Sequence, residues 1–174
     1  MRSLRWFVGA LGLGTAVLAS AQAPRPVDTS GWKTLRDDTM GFEVKYPATW
    51  RVGRSTGTLE SLVLGMPAQA GTERVSMQLV VQRGINPRGL PIEQWYADQL
   101  TRLNVTTPPP ATRTVIGGRP TIRREMTGTL SRHFDFYTAV KASDIFQVSI
   151  LQPTAQVQLD PTHEAVLSTI TFLP

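Results

Sequence analysis

Cysteine is absent from all 174 residues, which excludes disulfides, thiol nucleophiles, thiolate metal sites and the lipid-modified cysteine of an exported lipoprotein. Histidine is nearly absent: only His133 and His163 occur, so a hydrolase that holds an imidazole between a nucleophile and a carboxylate has two candidates for its base. Lysine is scarce too, with three residues against fifteen arginines. The arginines are spread from Arg25 to Arg132 among acidic residues and form no basic block, so the composition points away from nucleic acid. No apolar run reaches the ~20 residues that a bilayer core requires; the longest spans residues 6–18. Internal repeats are lacking as well.

That apolar run has a different reading. Arg2 and Arg5 precede it as a basic head, and Ala19-Ser20-Ala21 supplies the small-x-small pattern at which signal peptidase cuts. Residues 1–21 therefore read as a secretory signal peptide that leaves Gln22 at the mature N-terminus; a cut after Ala23 would place Pro24 directly beyond the bond. The expected product is exported and soluble, periplasmic or extracellular, with no stable membrane insertion after signal cleavage. Residues 22–30 carry Pro24 and Pro26 among small polar residues and read as a flexible leader. Residues 31–174 read as one domain. A mature chain of about 150 residues buries about two-thirds of its unfolded surface, which permits a core without covalent staples. Loss of Arg2 and Arg5 lowers the formal charge from +5 to +3.

Periodicity supplies the fold class. A short strand at residues 32–35 precedes a turn at Asp37-Asp38-Thr39; Phe42, Val44 and Tyr46 then alternate with Glu43 and Lys45 until Pro47 ends the strand. Leu62, Leu64 and Met66 share one face of a strand over residues 61–66, and Val75, Met77, Leu79 and Val81 share one face of another over 75–83. From Pro91 to Leu103 the spacing changes to three and four. Ile92, Trp95, Tyr96, Leu100 and Leu103 mark the buried face of a helix packed on a sheet, with Pro91 in its first turn.

Pro108, Pro109 and Pro110 make a stiff connector. Strands over residues 111–116, 119–127, 131–142 and 145–151 then form an antiparallel meander, with Gly117-Gly118 suited to a positive-φ turn. In the third of these, Phe134, Phe136, Thr138 and Val140 alternate with His133, Asp135, Tyr137 and Lys141; in the fourth, Phe146, Val148 and Ile150 alternate with Gln147 and Ser149. Asp160 caps a short helix from Pro161 to about Ser168, before Ile170 and Phe172 alternate in a last strand. The expected class is α+β, a mainly antiparallel central sheet flanked by helices.

The stretch Gly41-Phe42-Glu43-Val44-Lys45-Tyr46-Pro47-Ala48-Thr49-Trp50-Arg51-Val52 resembles the Gly-Phe-x-Phe/Val-x-Tyr-Pro-x-x-Trp-x-Val signature of Mog1/PsbP-like domains, the group of PsbP, Mog1, DcrB and LpqN. The order of elements over residues 32–173 is similar to theirs as well. The resemblance implies an α/β/α sandwich in an exported bacterial protein that is not an enzyme: an accessory subunit, assembly factor or protein-binding module of the envelope. No catalytic residue, cofactor or metal ligand carries over from it to a position of this sequence. Read physically, Phe42, Val44 and Tyr46 enter the core, Pro47 breaks the ladder and Trp50 folds back to cover it.

Sites of chemistry are sparse. His133, Asp135 and Tyr137 share a polar strand face, but His133 and Asp135 are only two ligands, fewer than the three or four that zinc takes. His163 beside Glu164 is expected on an exposed helix surface, and Asp37-Asp38 in an exposed acidic turn. Asn104-Val105-Thr106 fits a glycosylation sequon, and no weight rests on it. Arg119, Arg123, Arg124 and Arg132 cluster in one hairpin, and strand pairing that gathers them would make a surface for an acidic partner. The leading expectation is binding of another envelope protein. The alternative is a carrier holding a small apolar molecule or lipid between the helix of Trp95 and Tyr96 and the sheet; a hydrolase using His133 or His163 comes third.

Overall fold

The computed structural model describes residues 26–56, 60–65, 75–141, 143–153 and 157–174. The expected signal peptide, the leader up to residue 25, Met66 and Ala142 lie outside the described residues, as does the side chain of Val75. Five strands come first: β1 (Lys33–Asp37), β2 (Phe42–Tyr46), β3 (Arg51–Thr56), β4 (Glu60–Gly65) and β5 (Val75–Gln82). They lead into α1 (Ile92–Arg102), and then into β6 (Ala111–Ile116), β7 (Arg119–Thr127), β8 (Ser131–Lys141) and β9 (Asp144–Pro153). The chain closes with α2 (Pro161–Ser168) and β10 (Thr171–Phe172).

These strands form two antiparallel sheets, a three-stranded one in the order β1-β2-β10 and a seven-stranded one in the order β3-β4-β5-β9-β8-β7-β6. A single central sheet was the expectation. Pro47 divides it: proline has no N–H for the ladder, and its carbonyl accepts from the Trp50 amide at 2.9 Å in a turn that sends the chain across to β3. β3 is the strand that alternation does not disclose, because Arg51 to Ser55 are exposed throughout. Its pairing with β4, from Arg51 opposite Gly65 to Thr56 opposite Glu60, holds it.

The meander β6-β7-β8-β9 occurs in sequence order, and the longest strand, β8, sets the parity of the whole sheet. Phe134 lies opposite Ile150, Phe136 opposite Val148 and Thr138 opposite Phe146, so all six side chains share one face. Leu62, Leu64, Met77 and Leu79 extend that face, and Phe42 and Val44 of β2 with Val166 and Leu167 of α2 cover it. Full burial of each such side chain contributes about 1.5–3 kcal/mol. On the opposite face α1 packs Ile92, Trp95 and Tyr96 against Ile122, Tyr137 and Ile145 as a second, smaller core.

Both helices begin as their residues require. Asp160 accepts from the Thr162 amide at 2.7 Å, with Pro161 in the first turn. Pro91 stands one position earlier than expected, at the N-cap of α1, where its side chain makes no capping bond.

The β6–β7 turn joins the two sheets. Gly117 and Gly118 adopt φ of 55° and 75°, which side-chain-bearing residues reach at a cost of about 1–2 kcal/mol. A Cβ on Gly117 would lie 2.8 Å from the Phe172 ring and 3.1 Å from the Ile170 carbonyl, while one on Gly118 meets nothing within 4 Å. Gly118→Ala is therefore expected to show the backbone cost alone, and Gly117→Ala to lose a further ~1–3 kcal/mol from overpacking. Urea denaturation of the two variants checks this; equal losses would mean that the β10 ring yields freely.

Candidate functional site

α1 and the sheet diverge beyond their shared core, and a cleft of about 230 Å³ opens between them. Trp95, Tyr96, Gln99 and Leu100 line the helix side, at the spacing that one helical face presents; Leu103, expected on the buried face, is instead the C-cap, 71% exposed at the rim. From the sheet come Gln82, Arg124, Tyr137 and Gln147, alternate residues on the face opposite the main core. The rings form a continuous aromatic wall: Tyr137 stands 5.7 Å from Trp95 and 5.9 Å from Tyr96, centroid to centroid. The Trp95 indole N–H donates to the Ile85 carbonyl at 3.3 Å.

Beneath this wall runs a hydrogen-bonded polar row. Gln82 donates its amide to Gln147 Oε1, Gln147 Nε2 donates to Ser149 Oγ at 3.0 Å, and Ser149 Oγ donates to Asp135 Oδ1 at 2.7 Å. Arg124 completes it through Nε and Nη2, which donate to Asp135 Oδ2 at 3.2 and 2.5 Å. Asp135 is only 5% exposed, a burial that a carboxylate tolerates when paired and hydrogen-bonded. Burial opposes the charge on Arg124, but the Asp135 hydrogen bond together with the attraction of Tyr137, Asp135 and Tyr96 raises the guanidinium pKa above its ordinary value. The same guanidinium lies 5.4 Å over the Tyr137 ring. Burial first, and the Asp135 carboxylate second, push the Tyr137 hydroxyl up, so it stays a neutral phenol. Tyr96, 9% exposed, holds its hydroxyl buried with no hydrogen-bond partner among the described residues.

The four hairpin arginines are not gathered into one patch. Consecutive strand residues point to opposite faces, so Arg123 turns to the main-core face and Arg124 to the cleft. Arg119, Arg123 and Arg132 share the main-core face, each engaged within the chain: Arg119 lies 5.5 Å over Phe172 and Arg123 lies 5.1 Å over Phe134. Arg132 pairs with Glu125 and donates to the Val157 carbonyl at 3.1 Å.

His133 and Asp135 do share a face, but His133 Nε2 meets Ser131 Oγ at 3.1 Å while Asp135 serves Arg124 and Ser149. Among the described residues no group of three or more His, Cys, Asp or Glu side chains comes together. His163 corrects its expectation: it is 3% exposed and packs against Trp50, with the ring centroids 5.3 Å apart and the planes tilted by 50°. The acidic turn is also only half exposed. Asp38 pairs outside with Arg36 at 2.9 Å, whereas Asp37 is buried, accepting from the Met40 amide at 2.8 Å and from Arg54. Local sequence carried no signal for either burial, since both depend on residues far along the chain.

Burial lowers the His163 pKa from its ordinary 6.5, with Asp160 acting the other way. Unfolded chain therefore binds a proton at a pH where the folded chain does not. This contribution to stability is intact above pH 6.5 and declines as pH falls below that value, until the folded imidazole itself protonates. His163→Phe, which retains a ring against Trp50, is expected to flatten the decline in urea titrations between about pH 7.5 and 5; an unchanged slope would assign it to other groups. Tyr96→Phe is expected to raise stability, because a buried hydroxyl without a partner costs about 1–3 kcal/mol. A lower thermal midpoint for that variant would show the hydroxyl to be satisfied.

No family model and no curated protein matches the chain. Among solved structures, the solution structure of cyanobacterial PsbP from Synechocystis is similar over 87% of this chain and 98% of its own, with a TM-score of 0.55 and 11% identity. A crystal structure from Bacteroides thetaiotaomicron aligns over 76% of this chain at 14% identity and a TM-score of 0.49. The chain spans 45% of the length of that structure. Likeness at such identity concerns the fold and not the function. The α+β fold of this chain is PsbP-like.

Proposed function

We propose that the chain is a non-catalytic binding protein exported to the envelope, and that it holds a small molecule in the cleft between α1 and the sheet. The observation that carries this reading is the cleft: an aromatic wall, an aliphatic rim from Leu100 and Leu103, and a few fixed polar groups. Small-molecule sites combine those features. Absence of catalysis is supported by the positions of the histidines: His133 meets Ser131 while the neighbouring Asp135 is held by Arg124 and Ser149, and His163 is buried against Trp50 with Asp160 3.9 Å away. A Mog1/PsbP-like α/β/α sandwich, with α1 on one face of the large sheet and α2 on the other, is the finer reading of the fold.

A second reading, an accessory module for another envelope protein, draws support from β6. Among the described residues its outer edge pairs with no strand, and Val115 there is 65% exposed. Extended segments of partner proteins add to such edges, and Arg119 and Arg123 lie on the adjoining strand.

Native mass spectrometry of the protein, purified from its own envelope after mild crosslinking, separates the two. A small-mass adduct that disappears in Leu100→Trp, which fills the cleft, is the expected result. A protein adduct that disappears in Val115→Pro, with no small adduct, would replace the carrier reading by the accessory one.

A further inference from the structure

We infer that the cleft takes an uncharged, planar ring molecule, about two fused rings in size, that presents a hydrogen-bond acceptor to the Tyr96 hydroxyl. The inference rests on the carrier reading and adds the chemistry of the ligand. Four features of the cleft supply it.

Size comes first. The volume of about 230 Å³ exceeds the ~150 Å³ apolar cavity that takes up benzene and falls short of the ~300–1,000 Å³ of sites for drug-sized ligands. Shape follows from the wall: Trp95, Tyr96 and Tyr137 form a contiguous aromatic surface, tilted 48° and 33° to one another. Aromatic rings pair on such a surface in offset or edge-on arrangements, a gain beyond the area they bury.

Charge is set by the floor. Arg124 is the one cation lining the cleft among the described residues, and both its Nε and its Nη2 are committed to Asp135. An anion would lie beside the Asp135 carboxylate that neutralises Arg124, and a cation would approach a guanidinium. A neutral molecule meets neither obstacle. Polarity is set by Tyr96: the residue lines the cleft, and its hydroxyl is buried with no partner among the described residues. The adjacent glutamines are already bonded along the row, Gln82 to Gln147 and Gln147 to Ser149. A phenol is a donor as well as an acceptor, so a ligand ring nitrogen or carbonyl oxygen gives this hydroxyl the bond that the protein does not.

Calorimetric titration of the purified protein with quinoline, isoquinoline, naphthalene and quinaldate tests this, with the Trp95 indole N–H followed by NMR as a reporter of the site. Naphthalene has the same two rings without the nitrogen, and quinaldate adds a carboxylate. Expected is quinoline or isoquinoline binding about five- to tenfold more tightly than naphthalene, the value of one neutral hydrogen bond. Tyr96→Phe should abolish that preference, and quinaldate should bind less tightly than quinoline. Equal affinities for quinoline and naphthalene in the unaltered protein, or tighter binding of quinaldate, would overturn the inference. Binding of dodecanol with no binding of any ring compound would overturn it while leaving the carrier reading in place. Failure of every probe, together with no small-mass adduct on the envelope-purified protein, would remove both.

Discussion

The pairing of β8 with β9 is the constraint on which the rest of the molecule depends. These strands are the longest, and they lie at the middle of the large sheet. With a side-chain period of two, a shift by one residue would exchange the faces completely. The register that sets Phe136 against Val148 on one side sets Tyr137 against Gln147 on the other. One pairing thus builds the main core and the floor of the cleft together. A slip that exposed the phenylalanines would also bury Asp135 and Gln147 against the apolar side chains of Phe42, Val44, Val166 and Leu167; the two faces enforce the same register.

The Arg124–Asp135 pair is best understood within that constraint. Burying two charges takes back much of what their attraction supplies, so the pair is weak evidence for stability as such. Its geometry carries more meaning. Arg124 lies opposite Asp135, which lies opposite Ser149, so β7, β8 and β9 are tied across three consecutive strands by side chains as well as by main-chain bonds. The tie also removes net charge from beneath an aromatic wall. A sheet face that would otherwise need a second apolar layer stays polar and yet has little exposed charge.

Much of this was legible in the sequence, for identifiable reasons. Alternation in Phe42 to Tyr46, in Phe134 to Val140 and in Phe146 to Ile150 is strong, and the three-four spacing around Trp95 and Tyr96 is unambiguous. Those segments carry the cores and one wall of the cleft. Turn chemistry placed the meander, because Gly117-Gly118 tolerates positive φ. What escaped depends on partners distant along the chain. β3 is polar and exists through its pairing with β4; Asp37 is buried because Arg54 reaches it; His163 is buried because Trp50 covers it. The division into two sheets escaped for the same reason, since strand order is a property of pairing. The arginine patch is different: the alternation that sends Arg123 and Arg124 to opposite faces was already present in the sequence, and proximity along the chain concealed it.

The PsbP-like fold and the cleft place unequal demands on the sequence. A core of this kind accepts many combinations of apolar residues if volume and alternation are kept, which is how two chains with 11% identity adopt one fold. The cleft is more particular. Replacing Asp135 by an apolar residue would leave the Arg124 guanidinium without its acceptor, and replacing Tyr96 by leucine would keep an apolar residue on the buried face of α1 while removing both ring and hydroxyl. Conservation of the fold therefore predicts nothing about this face, and the face must be judged by its own chemistry. On that chemistry, a buried hydroxyl retained where phenylalanine would pack as well is the feature that packing alone does not explain.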